Sequence, residues 1–205
     1  MPGAYYLESV RLGKEFQLNN SSWSGNDCKN YHNQIRVLMD KHHAKTVLDY
    51  GCGKGSQYEN MVQFGMLNNQ LTEPMTFQTR INAESVYKFD PCVKEFEIEP
   101  VGQQFDAVIC TQVLGSIPDV DMPWLRDKLM NYATKFVFIG LHTPDKPVKS
   151  KKRIYDPNWL TYPRSIEWYQ EQFKGWTGPD LYWWFRGTNH LINDWYSIPL
   201  GGLAK

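Results

Sequence analysis

The chain has 205 residues, with 22 basic side chains against 22 acidic ones, which is room for one domain and offers no net field for nucleic acid or an anionic membrane. No apolar run approaches the roughly 20 residues of a membrane helix, and Met1–Tyr6 lacks the basic-then-apolar opening of a secretory signal, so a cytoplasmic protein is expected. Four cysteines, at 28, 52, 92 and 110, make no Cys-x-x-Cys pair and have no nearby histidine pattern; Cys52 and Cys110 read as small apolar fillers in a reducing compartment, and no metal site is expected.

In chain order, residues 1–29 are polar and aromatic with weak periodicity, and 19–27 reads as loop. A helix is expected over about 30–43, with Ile35, Leu38, Met39 and His42 on one face. His42 and His43 are adjacent, so they point apart and make no helical metal pair. Residues 46–50 form the first strand. Ser56-Gln57-Tyr58-Glu59 has the Ser-x-x-Glu form of a capping box and predicts a crossover helix over 56–67 with Tyr58, Met61 and Val62 inward. Residues 68–84 are polar, contain Pro74 and read as an insertion or long loop.

Strands follow at 85–89, at 96–98 and at 105–110, the last apolar enough to be buried on both faces of a parallel sheet. Proline at the first turn opens a helix over about 123–132, and 135–140 is the next strand. A long loop spans 141–162 and carries the basic run Lys149–Arg153. A helix over about 163–173 and a β-hairpin, 181–186 with 190–196, close the chain. Alternating strands and helices imply a doubly wound, Rossmann-like α/β sheet. The whole reads as a single domain: 1–44 an N-terminal cap and helix, 45–140 a core, 141–205 a substrate loop, helix and hairpin.

The chemistry gathers at Thr46-Val47-Leu48-Asp49-Tyr50-Gly51-Cys52-Gly53-Lys54-Gly55-Ser56. A strand runs into an acid and three alternating glycines, a turn to which a ligand can come close. Ser56 directly after Gly55 rules out a Gly-Lys-Ser/Thr phosphate loop, and the third glycine comes one residue too early for Gly-x-Gly-x-x-Gly. Asp49 would repel a pyrophosphate and suits an ammonium group. The segment resembles motif I of class I S-adenosylmethionine-dependent methyltransferases, of the small-molecule, type 11-like kind.

That resemblance implies seven strands with the last inserted antiparallel beside the fifth, and S-adenosyl-L-methionine as cofactor. It places Asp49, Gly51, Cys52, Gly53 and Gly55 at the methionine part. Phe89-Asp90-Pro91 matches the second motif, whose acid takes the ribose hydroxyls, although Asp90 lies 41 residues after Asp49 where about 20 is usual. Residues 105–114 resemble the fourth motif, which makes Thr111 and Gln112 candidate cofactor contacts. Gly115-Ser116 stand where many small-molecule enzymes of the family have Glu-His. The family's adenine-recognising acid on the third strand has no secure counterpart; Glu97 and Glu99 are the candidates.

Transfer from a sulfonium is an in-line displacement, so alignment can supply much of the rate, and a base is needed only if the acceptor loses a proton. His142, with Asp145 nearby, is the candidate base, against a loop histidine with no chemical role. Tyr5, Tyr6, Trp23, Trp183 and Trp184 could wall a pocket or simply pack. The expected activity is methyl transfer to a small-molecule or exposed polar acceptor. The alternatives are a non-catalytic S-adenosylmethionine-binding partner protein and a nucleic-acid methyltransferase using 149–153. Against the latter, no Asp/Asn-Pro-Pro-Tyr/Phe follows the fourth strand.

Overall fold

Phe105–Thr111 is apolar on both sides, and the fold buries both. The computed structural model describes residues 2–19, 25–64, 66–67, 70–71, 73–143, 155–156, 159–160, 164–187 and 193–198. The helices are α1 (Ala4–Asn19), α2 (His32–Lys41), α3 (Phe77–Ile81), α4 (Met122–Tyr132) and α5 (Ile166–Gln172). The strands are β1 (Thr46–Tyr50), β2 (Met66–Leu67), β3 (Gln70–Leu71), β4 (Ser85–Phe89), β5 (Phe105–Thr111), β6 (Ala133–Thr143), β7 (Tyr155–Asp156), β8 (Trp159–Leu160), β9 (Asp180–Gly187) and β10 (Asn193–Ile198).

The main sheet has the order β10-β9-β6-β5-β1-β4, while β2-β3 and β7-β8 are separate two-stranded ladders. Strands β4, β1, β5, β6 and β9 run parallel to one another, which is the Rossmann-like arrangement. Two expectations from the resemblance fail. The main sheet has six strands among the described residues, because Lys94–Phe96 forms a 3-10 turn where a third strand was expected and Ile98 is 74 % exposed. No antiparallel strand is inserted beside β6 either: β9 runs parallel to it, and the antiparallel pairing is β9 with β10 at the edge.

Side chains alternate across strands, and the two faces make two cores. Leu48, Tyr50, Val108, Cys110, Val137 and Ile139 face α1, α4 and α5 through Tyr6, Leu125, Leu129, Tyr169 and Phe173. Val47, Ala107, Ile109, Phe136 and Phe138 face α2 and α3 through Ile35, Leu38, Met39, Phe77 and Ile81. Tyr6 and Trp183, candidates for a pocket wall, are core residues, with Trp183 stacked on Phe185 at 5.4 Å. Tyr5 is exposed, Trp184 packs partly buried against the second core, and Trp23 lies outside the described residues.

The covering elements differ most from the sequence reading. Weakly periodic residues 4–19 form α1, a helix held by tertiary contacts rather than by a strong apolar stripe. The expected helix over 56–67 is only the 3-10 turn Ser56–Tyr58, and Met61 is 63 % exposed. The supposed insertion instead supplies α3, with Thr76 accepting from the Thr79 amide at its start and Asn82 left-handed at its end. Five residues suffice because Phe77 and Ile81, four apart, are both fully buried. Ile81→Ala should therefore cost about 2–5 kcal/mol, whereas Met61→Ala should stay within about 0.5 kcal/mol. Urea unfolding midpoints of the two variants check this, and equal losses would contradict the assignment.

Candidate functional site

Register places the site at the carboxyl ends of β1, β4 and β5, where ligands bind in open α/β sheets. Asp49 is paired across β1 with Lys88 on one side and Ile109 on the other. Its side chain points to the α2–α3 face and is 0 % exposed. Tyr58 donates its hydroxyl to Asp49 Oδ2 at 2.7 Å, and Gln57 Nε2 donates to the same oxygen at 3.1 Å. The Cys28 thiol donates to Oδ1 at 3.6 Å and contacts Thr111 Oγ1 at 3.2 Å.

These bonds explain the lost helix. With Gln57 and Tyr58 both turned in to Asp49, the turn at 56–58 cannot continue as a regular amphipathic face. Ser56 does not act as a capping residue, since its hydroxyl donates to Asn26 Oδ1 at 2.8 Å.

The glycine turn is left-handed at Gly51, Gly53 and Gly55 (φ 87°, 58° and 63°). At Gly51 the absence of a side chain is required twice over: φ is positive, and a Cβ there would overlap Val113 Cγ2. Asp90, 5 % exposed, closes the turn from the side of β4. Its Oδ2 accepts from the Gly53 amide at 2.8 Å and its Oδ1 from the Cys92 amide at 2.8 Å. Cys52 is buried within the turn, and Pro91 follows Asp90 half-buried.

Thr111 and Gln112 continue the edge. Gln112 is left-handed (φ 58°), an uncommon state for a non-glycine residue that marks a site held by its surroundings. Its amide donates to the Gly140 carbonyl at 2.9 Å, and its Nε2 donates to the Tyr31 hydroxyl at 2.9 Å. Thus nine of the ten expected site residues, Asp49, Gly51, Cys52, Gly53, Gly55, Asp90, Pro91, Thr111 and Gln112, lie on one sheet edge. The tenth, His142, is in β6, two residues beyond the Thr111–Gly140 pair and opposite Arg186, not in a loop. Asp145 and Lys149–Arg153 lie outside the described residues.

One part of the site is absent from the sequence reading: the segment Gly25–Tyr31 lies directly on the glycine turn. A Cβ on Gly25 (φ 65°) would stand 2.6 Å from the Lys54 amide nitrogen and 2.7 Å from the Cys52 carbonyl, so backbone meets backbone here. Cys28 reaches Asp49 and Thr111, and Tyr31 covers Gly140 and Gln112. Gly25, inside a run of Asn, Ser and Gly, was the available signal, but such runs usually mean a solvated loop. Opposite this segment, Arg164 is buried and pins the stretch after β5. It donates to the Leu114 carbonyl at 2.9 Å, to the Ile117 carbonyl and to Asp119 Oδ1.

The electrostatics follow from burial. Removal from water pushes the Asp49 carboxyl up to about 6, against the lowering effect of the Tyr58 and Cys28 hydrogen bonds, and the charge of Asp90 adds to the rise. Asp90 is also raised by burial, opposed by the amides of Cys92 and Gly53. A carboxyl whose native pKa is raised favours folding most below its unfolded value, near 3.8, and that advantage is lost as pH rises through about 6. The corresponding loss is about 3 kcal/mol. Asp49→Asn should therefore flatten the decline in unfolding free energy between pH 4 and 7, read from urea denaturation across that range. An unchanged slope would place the titration elsewhere.

The chain matches the model of a family described as methyltransferase domain over residues 27–190. No curated protein and no solved structure matches it. No helix among the described residues is long and apolar enough to cross a membrane. The family match runs from within the segment covering the glycine turn to beyond β9, and so takes in every strand of the parallel sheet and the site residues described above other than Gly25 and Asn26. The chain belongs to the methyltransferase domain family.

Proposed function

We propose that the protein transfers a methyl group from S-adenosyl-L-methionine to a small molecule or an exposed polar group, by in-line displacement. The observation that carries this reading is the Gly53 amide bonded to Asp90 at 2.8 Å, which joins the turn after β1 to the acid after β4 as one binding edge. The residues fit the cofactor at both ends. A carboxylate offers about four acceptor positions, and the Gly53 and Cys92 amides take two of those of Asp90, which leaves acceptor capacity for a ribose diol. At the other end, Gln57 Oε1 is buried beside Asp49 and has no hydrogen-bond partner. An open acceptor next to a carboxylate suits an ammonium group.

When bound, the cofactor supplies a methyl carbon already activated on a sulfonium. The chain's own residues bind, orient and exclude water. Asp49 acts through its field and through Gln57, because its carboxylate is wholly enclosed. Gly25–Tyr31 covers the edge on one side and keeps water from it. If the acceptor carries a proton to lose, His142 at the end of β6 is the residue assigned to take it. All four cysteines are free thiols, in keeping with work in a reducing compartment. We read the full 205 residues as one methyltransferase unit.

Calorimetric titration with S-adenosylhomocysteine tests the reading. The parent protein should bind, and Asp90→Ala should weaken binding about tenfold or more, through lost charge-assisted hydrogen bonds worth about 1.5–3 kcal/mol. A thermal melt of each variant confirms that it is folded. Absence of binding by the folded parent would refute the proposal, as would equal binding by Asp90→Ala.

A further inference from the structure

Gln17 is a buried amide with nothing to bond. It lies in α1, is 6 % exposed, and neither its Nε2 nor its Oε1 has a hydrogen-bond partner. An amide so placed is costly to the ligand-free protein, because both halves have lost water and gained nothing. Apolar residues of the same size would fill the space without that cost.

The position of α1 relates this cost to the site. Tyr6, Val10, Gly13 and Gln17 share one helix face, and contacts place that face along the carboxyl edge of the sheet. Tyr6 packs on Trp124 at a ring separation of 4.8 Å. The Val10 carbonyl accepts the Cys92 thiol at 3.7 Å, and a Cβ on Gly13 would stand 2.5 Å from Cys92 Sγ. Lys14 pairs with Glu97 at 2.6 Å. Gln17 is one helical turn, about 6 Å, beyond Gly13, and Cys92 is the residue whose amide holds Asp90 Oδ1.

The acids expected to read the adenine are engaged elsewhere. Glu97 is exposed and bound to Lys14, while Glu99 accepts from Tyr132 at 2.6 Å and pairs with Lys128. A glutamine amide is a fitting replacement. Its oxygen accepts from the adenine amino group while its nitrogen donates to the neighbouring ring nitrogen, the bidentate pairing by which Gln reads adenine in nucleic acids. Resting on the cofactor reading above, we infer that Gln17 is the adenine-recognising residue of this protein, presented by α1 across the end of β4.

The test uses the full chain and two ligands, S-adenosylhomocysteine and its analogue with purine in place of adenine, which lacks the amino group. The parent should bind the analogue about tenfold more weakly, since the glutamine oxygen is then left unpaired. Gln17→Met should weaken S-adenosylhomocysteine binding about tenfold and erase the difference between the two ligands, which is the coupling a direct contact requires. Without ligand, Gln17→Met should melt about 3 °C higher, because the unsatisfied amide is gone. Gln17→Leu serves as a second apolar variant should the first fold poorly.

A parent that binds both ligands while Gln17→Met keeps the same tenfold preference overturns the assignment, as does unchanged affinity for S-adenosylhomocysteine. Failure of the parent to bind S-adenosylhomocysteine at all overturns the cofactor reading instead.

Discussion

The architecture of the site depends on one enclosed carboxylate. Asp49 lies near the end of β1 inside the protein, and a charge there is tolerable only if donors surround it. The chain supplies them from three directions: Tyr58 and Gln57 from the turn just after the glycines, and Cys28 from the N-terminal segment. Each donor carries a structural consequence. Turning Gln57 and Tyr58 inward ends the helix that their sequence favours, and bringing in Cys28 draws Gly25 down on the turn. Burial still pushes the Asp49 carboxyl up to about 6, because these donors replace only part of the water it has lost.

A second set of contacts controls the other side of the glycine turn. Arg164 holds the carbonyls of Leu114 and Ile117 and the carboxylate of Asp119, and stacks over Trp168 at 4.3 Å. The stretch so held begins at Val113, whose methyl occupies the space a side chain at Gly51 would take. The turn is therefore fitted between Gly25–Cys28 on one side and Val113 on the other. A glycine turn of this kind draws its shape from packing as much as from the backbone freedom of its residues.

How far the sequence could be read depended on the range of the interactions involved. The strand read at 105–110 was legible because a strand buried on both faces must be apolar throughout, whatever its neighbours, and those at 46–50 and 85–89 were legible as short β-forming runs that lead into an acid. The spacing of Gly51, Gly53 and Gly55 and the acids ending β1 and β4 were equally local signals. Helix α1 was not legible, because its stability comes from Tyr6 on Trp124, Gly13 on Cys92 and Asp121 accepting the Gly3 amide, partners some 80 to 120 residues away. The capping box at Ser56 pointed the wrong way for the same reason: its local preference was outweighed by a buried charge that only the fold creates.

What the sequence by itself determined is the parallel α/β sheet, its strands at 46–50, 85–89 and 105–110, and the sheet edge at which the glycine turn and two acids meet. Those follow from hydrophobic period, glycine spacing and the placing of two acids, all properties of neighbouring residues. Only the tertiary structure decided what stands around that edge. It laid α1 and Gly25–Tyr31 over the turn, moved the helical cover from 56–67 to Phe77–Ile81, and left the Gln17 amide buried without a partner. The physical reason is that desolvation of Asp49, Asp90 and Gln17 arises only once distant segments have packed.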